Sequence, residues 1–136
     1  MDKLFVDTNI VIDLLQKRPG FFEEAQELFT LADKKKVKLL ISSLTIANTH
    51  FLLSKYYNTN EARNLLAKFK VLVEVLPLDD KIIELALASD FKDFEDAIQF
   101  YTAIENNAGI IITRNKKDFR NQNIPILTAK EYLHRS

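Results

Sequence analysis

Hydrophobic and polar positions along this chain fall into blocks that switch between strand-like runs and helix-like spacing. Leu4-Phe5-Val6 is a short apolar run that stops at Asp7-Thr8-Asn9 and passes into Ile10-Val11-Ile12-Asp13-Leu14-Leu15. Phe5 and Val6 favour extended backbone, whereas the residues after Asn9 repeat their apolar positions at helical spacing. Phe21, Ala25, Leu28, Phe29 and Ala32 then mark one face of an amphipathic helix over 21–35. Val37–Ile41 reads as a strand, with Ser42 and Ser43 as caps for a helix that continues to about Tyr57. Asn60 opens the next helix, Val71–Leu76 reads as a third strand stopped by Pro77, and Asp79 or Asp80 caps a helix carrying Ile82, Ile83 and Ala86. A helix from about Asp93 to Asn107 precedes Ile110-Ile111-Ile112-Thr113, whose unbroken apolar run suits a strand buried on both faces. Pro125-Ile126-Leu127 reads as a short edge strand, and Thr128 caps a last helix through about His134.

Strands separated by helices imply right-handed crossovers, hence an α/β fold: one domain over residues 1–136, with a parallel sheet of about five strands and helices on both faces. In such sheets ligands bind outside the carboxyl ends of the strands. Asp7 lies at such an end, which makes it a candidate site residue. The competing explanation is that it only caps the first helix.

Composition narrows the chemistry. The chain has no Cys, which removes disulfides and thiolate metal sites. Nineteen basic residues balance nineteen acidic ones, so affinity for nucleic acid has to come from local patches. Nothing approaches the length of a membrane span and no leader pattern opens the chain, so a soluble cytoplasmic protein is expected.

Two patches stand out. The first is acidic, with Asp90, Asp93, Glu95 and Asp96 at the start of the helix before the fourth strand. Asp93 and Asp96 are three apart and share a face, beside a core stripe of Phe94, Ala97, Ile98, Tyr101 and Ile104. Acids early in a helix answer its dipole, but half-buried neighbours repel unless a cation sits between them. Glu95, Gln99 and Thr102 are expected to face solvent. The second patch is basic: Arg114, Lys116, Lys117 and Arg120 follow the fourth strand at the same sheet edge as Asp7. Cations flanking a carboxylate-held metal suit a phosphodiester substrate; a solvated loop is the plainer explanation. His50 and Asp118 are set aside, the latter as a turn cap.

Taken together, these segments resemble the PIN domain, the nuclease fold of many toxins in bacterial and archaeal toxin–antitoxin modules. Phe5-Val6-Asp7-Thr8-Asn9 looks like its first acidic motif, and Ile41-Ser42-Ser43-Leu44-Thr45-Ile46-Ala47-Asn48 resembles its second segment. Asp96-Ala97 with Ala103 resembles the third, and Ile112-Thr113-Arg114-Asn115-Lys116-Lys117-Asp118-Phe119 the fourth. The likeness runs through nearly the whole chain in the right order.

The resemblance implies a metal-dependent endoribonuclease. Asp7, Asp96 and Asp93 would hold Mg2+ or Mn2+, and Thr8, Asn9, Asn48, Thr113 and Asn115 would position water or the ligands. Arg114 and Lys116 would contact the RNA backbone. It also implies a cognate antitoxin lying across the site and a homodimer. The chain departs from the common family pattern at two places, because most PIN nucleases carry Glu where Asn48 stands and Asp where Asn115 stands. It is similar in this to a branch that carries both Asn residues with an acid-rich third motif. Asn offers an oxygen to a hard cation but no charge, so Asp93 or Glu95 would supply the missing charge, with Asp93 the better placed on the helix face it shares with Asp96. The alternative function is a catalytically silent PIN-like module that binds RNA or a protein partner. A phosphorylated receiver domain has a similar topology, but no pair of acids precedes Asp7's strand end and no Lys matches.

Overall fold

A computed structural model describes residues 1–119 and 123–135. Five parallel strands form one sheet: β1 (Asp2–Val6), β2 (Val37–Ser42), β3 (Glu74–Leu76), β4 (Ile110–Ile112) and β5 (Ile126–Leu127), in the order β3-β2-β1-β4-β5. The helices are α1 (Thr8–Leu15), α2 (Phe22–Asp33), α3 (Ser43–Leu53), α4 (Thr59–Phe69), α5 (Asp80–Ala88), α6 (Phe94–Glu105) and α7 (Ala129–Leu133).

The central strands carry unbroken apolar runs, Leu4–Val6, Leu39–Ile41 and Ile110–Ile112, because both faces of the sheet are covered there. Side chains alternate across a strand. Leu4 and Val6 of β1, Leu39 and Ile41 of β2, and Ile110 and Ile112 of β4 share one core with Val11, Leu28, Phe29 and Leu66. Phe5, Leu40 and Ile111, one residue out of phase, share the other with Phe100 and Ala103 of α6. A satellite core of Ile82, Ala86, Ala97 and Ile98 joins α5 to α6.

Strand order turns back at β1, which pairs with β2 on one side and β4 on the other. That reversal leaves a crevice beyond the carboxyl ends of β1 and β4, where such sheets bind ligands. The backbone N–H of Asp7 bonds to the carbonyl of Ile112 at 2.9 Å, tying the two strand ends together.

The structure differs from the sequence expectation in places. The third strand begins at Glu74 rather than Val71, because α4 runs on into a 3-10 turn over Lys70–Leu72 and Val71 is exposed. Asn58, not Asn60, caps α4, and Asp79 rather than Asp80 caps α5. Phe94 is exposed rather than part of the core stripe. Gln99 and Thr102, expected to face solvent, are fully buried. They lie on the sheet-facing side of α6, and Thr102 satisfies its hydroxyl on the carbonyl of Ile98 at 2.7 Å.

Candidate metal-dependent active site

The crevice is a cleft of about 370 Å³ lined by Asp7, Thr8, Asn9, Asn48, Glu95, Asp96, Gln99, Asn115 and Asp118, with Leu44, Phe51 and Leu52 on the α3 side. The four residues matched to the family's acidic motifs, Asp7, Asn48, Asp96 and Asn115, therefore come together there.

Asp7 leaves β1 with extended backbone and caps α1. One carboxylate oxygen accepts from the Thr8 N–H at 2.8 Å and from Gln99 Nε2 at 3.4 Å. The other accepts from Thr113 Oγ1 at 2.8 Å and Asn9 Nδ2 at 3.5 Å. The helix cap is real, yet it uses only part of a side chain whose remaining partners converge from β4 and α6. Burial pushes the Asp7 carboxyl above its ordinary value; the Thr113, Thr8 and Gln99 hydrogen bonds oppose that, and the Asp118 charge adds to it. Every donor just named is neutral, so among the described residues this buried carboxylate has no cationic partner.

Gln99 is the site residue that sequence reasoning missed. Its amide nitrogen also donates to Thr8 Oγ1 at 3.1 Å and Thr45 Oγ1 at 3.0 Å, and its carbonyl accepts from Ser42 Oγ at 2.7 Å. The amide thus links the ends of β1 and β2 to α6 and turns a donor toward Asp7. A signal was present: Gln99 is three residues after Asp96, on the same helix face.

Asp96 is half-buried and its carboxyl is raised from 3.8 to about 7, by burial first and then by the charges of Asp93, Asp7, Asp118 and Glu95. Asp93 stands just before α6. It is the N-cap of α6, its Oδ1 takes the Asp96 N–H at 3.0 Å, and it is not among the residues lining the cleft. An extended residue before a helix turns its side chain back onto the first-turn N–H groups. Glu95 lines the cleft instead, and its Oε2 accepts from Asn48 Nδ2 at 3.5 Å. Asp118, set aside from the sequence as a turn cap, also lines the cleft, where the 3-10 turn Lys116–Asp118 brings it back beside Asn115. Each amide at a formerly acidic motif position thus has a carboxylate near it.

The basic patch is largely committed. Arg114 Nε lies 2.8 Å from Asp13 Oδ2, and its guanidinium stacks 4.1 Å from the centre of the Phe21 ring. Asp13 is only 1% exposed, its second oxygen is 3.9 Å from Arg18, and the contacts are ion pairs rather than well-aligned hydrogen bonds. Lys116 holds both oxygens of Glu131 at 3.0 Å. Both residues expected to contact the RNA backbone thus pair with a carboxylate within the fold. Lys117 is exposed, and Arg120 lies outside the described residues.

Among the described residues no three acidic, His or Cys side chains form a ready-made ion cage. Asp7 and Asp96 with amide oxygens nonetheless suit Mg2+, which commonly takes one or two carboxylates and fills its remaining positions with water and substrate phosphate. The mutual repulsion around Asp96 is what such a cation relieves.

The PIN domain family profile matches residues 3–117, and the chain belongs to that family. Ribonuclease VapC1 of Aquifex aeolicus (strain VF5) is 27% identical over 98% of this chain and 95% of its own. A toxin–antitoxin complex from Klebsiella pneumoniae contains a chain 26% identical, with TM-score 0.70 over 93% of this chain and 97% of that one. The DNA-bound VapBC structure from Salmonella typhimurium superposes with TM-score 0.72 at 20% identity, covering 95% and 99%, a likeness of fold. No described helix is long and apolar enough to cross a membrane.

Proposed function

We propose that this chain is a metal-dependent endoribonuclease, the toxin of a toxin–antitoxin module, working with Mg2+ or Mn2+. The observation that carries this is the meeting of Asp7, Glu95, Asp96 and Asp118 in one cleft, with only neutral donors on Asp7. The likeness to a ribonuclease across nearly the full chain supports the same reading.

Asp7 and Asp96 hold the ion, and Glu95 and Asp118 supply the charge that Asn48 and Asn115 lack. A bound divalent ion neutralises charge building on the phosphate and acidifies a water. Thr113 and Gln99 fix the Asp7 carboxylate, so its oxygens are oriented before substrate arrives. Thr8 and Asn9 sit beside Asp7, and Asn48 and Asn115 offer neutral oxygens at the cleft wall. The partners are an RNA substrate, a small antitoxin protein that covers the cleft, and a second copy of the chain; the relatives solved as toxin–antitoxin complexes support the antitoxin.

The test is cleavage of single-stranded and structured RNA by purified protein with Mn2+ or Mg2+, against EDTA and Asp7→Asn controls. Cleavage that needs the ion and Asp7 is expected. Absence of cleavage with both ions, alongside retained RNA or partner binding, would overturn the enzyme and leave a silent binding module.

A further inference from the structure

The cleft is acidic, the chain has zero net charge, and Arg114 and Lys116 are held by Asp13 and Glu131. Phosphate attraction dominates nucleic-acid affinity in most proteins, and here two of the cations beside the cleft already face carboxylates. The α3 wall of the cleft offers a second kind of hold on a substrate.

Asn48, Phe51 and Leu52 are spaced i, i+3 and i+4 on α3, and all three line the cleft. Phe51 is 65% exposed, an unusual state for a large ring in the wall of a polar site. The Lys55 ammonium lies 4.9 Å from the centre of that ring. A cation on an aromatic ring settles its orientation and adds a positive charge beside it. Two further aromatics, Tyr56 and Tyr57, follow in the exposed chain leaving α3. An exposed ring with an adjoining cation, contiguous with phosphate-cutting carboxylates, is how single-stranded nucleic acid is gripped without reading sequence.

We propose that Phe51, with Lys55 beside it, is a stacking platform for an unpaired base next to the scissile phosphate. The proposal rests on the nuclease reading of the cleft. Bases within a duplex present no free face to Phe51, so paired RNA is a poor substrate. Lys55 meets the backbone phosphate adjoining the stacked base.

The chain contains no Trp, so Phe51→Trp places a single fluorescent reporter at the platform. In EDTA, where nothing is cut, a single-stranded oligoribonucleotide is expected to quench that fluorescence, and a duplex of the same sequence to leave it nearly unchanged. With Mn2+, Phe51→Ala is expected to raise KM for single-stranded RNA about 10-fold with little change in kcat, while Phe51→Trp retains it. Thermal stabilisation by Mn2+ in Phe51→Ala should equal that of the wild type, since the ring is not a ligand. If RNA binds by an independent assay without quenching, or Phe51→Ala cuts like the wild type, the platform is wrong and the nuclease stands. If Phe51→Ala changes only the sedimentation behaviour, the face joins two copies of the chain and the platform is again wrong. If the wild type neither binds nor cuts RNA, the platform and the nuclease reading both fall.

Discussion

Neutralising Asp96 should make the metal-free protein more stable and deaf to the ion. Burial, then the charges of Asp93, Asp7, Asp118 and Glu95, raise its carboxyl from 3.8 to about 7. A folded-state value above the unfolded one means the folded protein holds that proton more tightly. Stability therefore falls as pH rises from about 4 to 7 and stays reduced above that window. A lift of that size bounds the cost at roughly 4 kcal/mol. Asp96 is only half-buried, and water in the open cleft screens its neighbours, so about 1–2 kcal/mol is a fairer figure. Asp96→Asn removes the charge at nearly constant volume. At pH 8 without metal, its Tm should rise by about 3–7 °C. Below about pH 4, where Asp96 is protonated in the folded and unfolded chains alike, the two proteins should melt together. Titrating Mn2+ at pH 8 should stabilise the wild type by mass action and leave Asp96→Asn unmoved. Two results would refute the reasoning: a lower Tm for the metal-free variant at pH 8, or a Mn2+ response that persists in both Asp7→Asn and Asp96→Asn.

Gln99→Leu strips Asp7, Thr8 and Thr45 of a shared donor and leaves Ser42 without its acceptor; a loss of about 1–3 kcal/mol in urea unfolding is expected, together with Mn2+ affinity weakened about 10-fold. Unchanged Mn2+ affinity would make Gln99 a packing residue only. Arg114→Ala leaves the buried carboxylate of Asp13 with only Arg18, 3.9 Å away, so unfolding should show a loss of about 2–4 kcal/mol, partly recovered by adding Asp13→Asn. No recovery in the double variant would place the role of Arg114 elsewhere. Asn48→Glu sets a carboxylate against Glu95, which Asn48 now contacts at 3.5 Å. It should lower metal-free Tm by a few degrees and tighten Mn2+ binding, and equal Mn2+ affinity by calorimetry would argue against Asn48 facing the ion.

The fold was readable because both core-forming periods are clean. Ile110-Ile111-Ile112 and Leu39-Leu40-Ile41 are apolar throughout, as strands covered on both faces must be. Val71 misled because β-branched residues also sit in exposed turns, and only pairing of Glu74 with Leu40 fixes where β3 begins. The site was readable where a carboxylate ends a strand, as Asp7 does. It was less readable on α6, where helical spacing alone does not say which polar residue turns inward. Gln99 is buried by its fit to hydroxyls from β2 and α3, contacts 54 and 57 residues distant in sequence. Arg114 and Lys116 looked like a free basic patch because their partners, Asp13 and Glu131, lie 101 and 15 residues away.

The two amides acquire a different meaning once Glu95 and Asp118 are placed. Counting charge at the motif positions alone leaves two acids, Asp7 and Asp96, whereas counting it around the cleft gives four. The two added acids differ from the pair they join. Asp7 is buried and tied by four donors, and Asp96 is half-buried on a helix, but Glu95 is exposed and longer. Asp118 stands at the end of a short 3-10 turn rather than on a helix. A site built this way keeps its full charge for a substrate-bound ion, and fewer carboxylates are fixed against one another when no ion is present. The raised carboxyl of Asp96 marks its burial first and then the repulsion that remains. Had Asn48 been a Glu, a further charge on α3 would have met Glu95 directly. If the proposed nuclease reading holds, the ion is expected to bind weakly in the free protein and firmly only when RNA phosphate completes its shell, which makes cleavage, rather than metal content, the sounder measure of whether the cleft works.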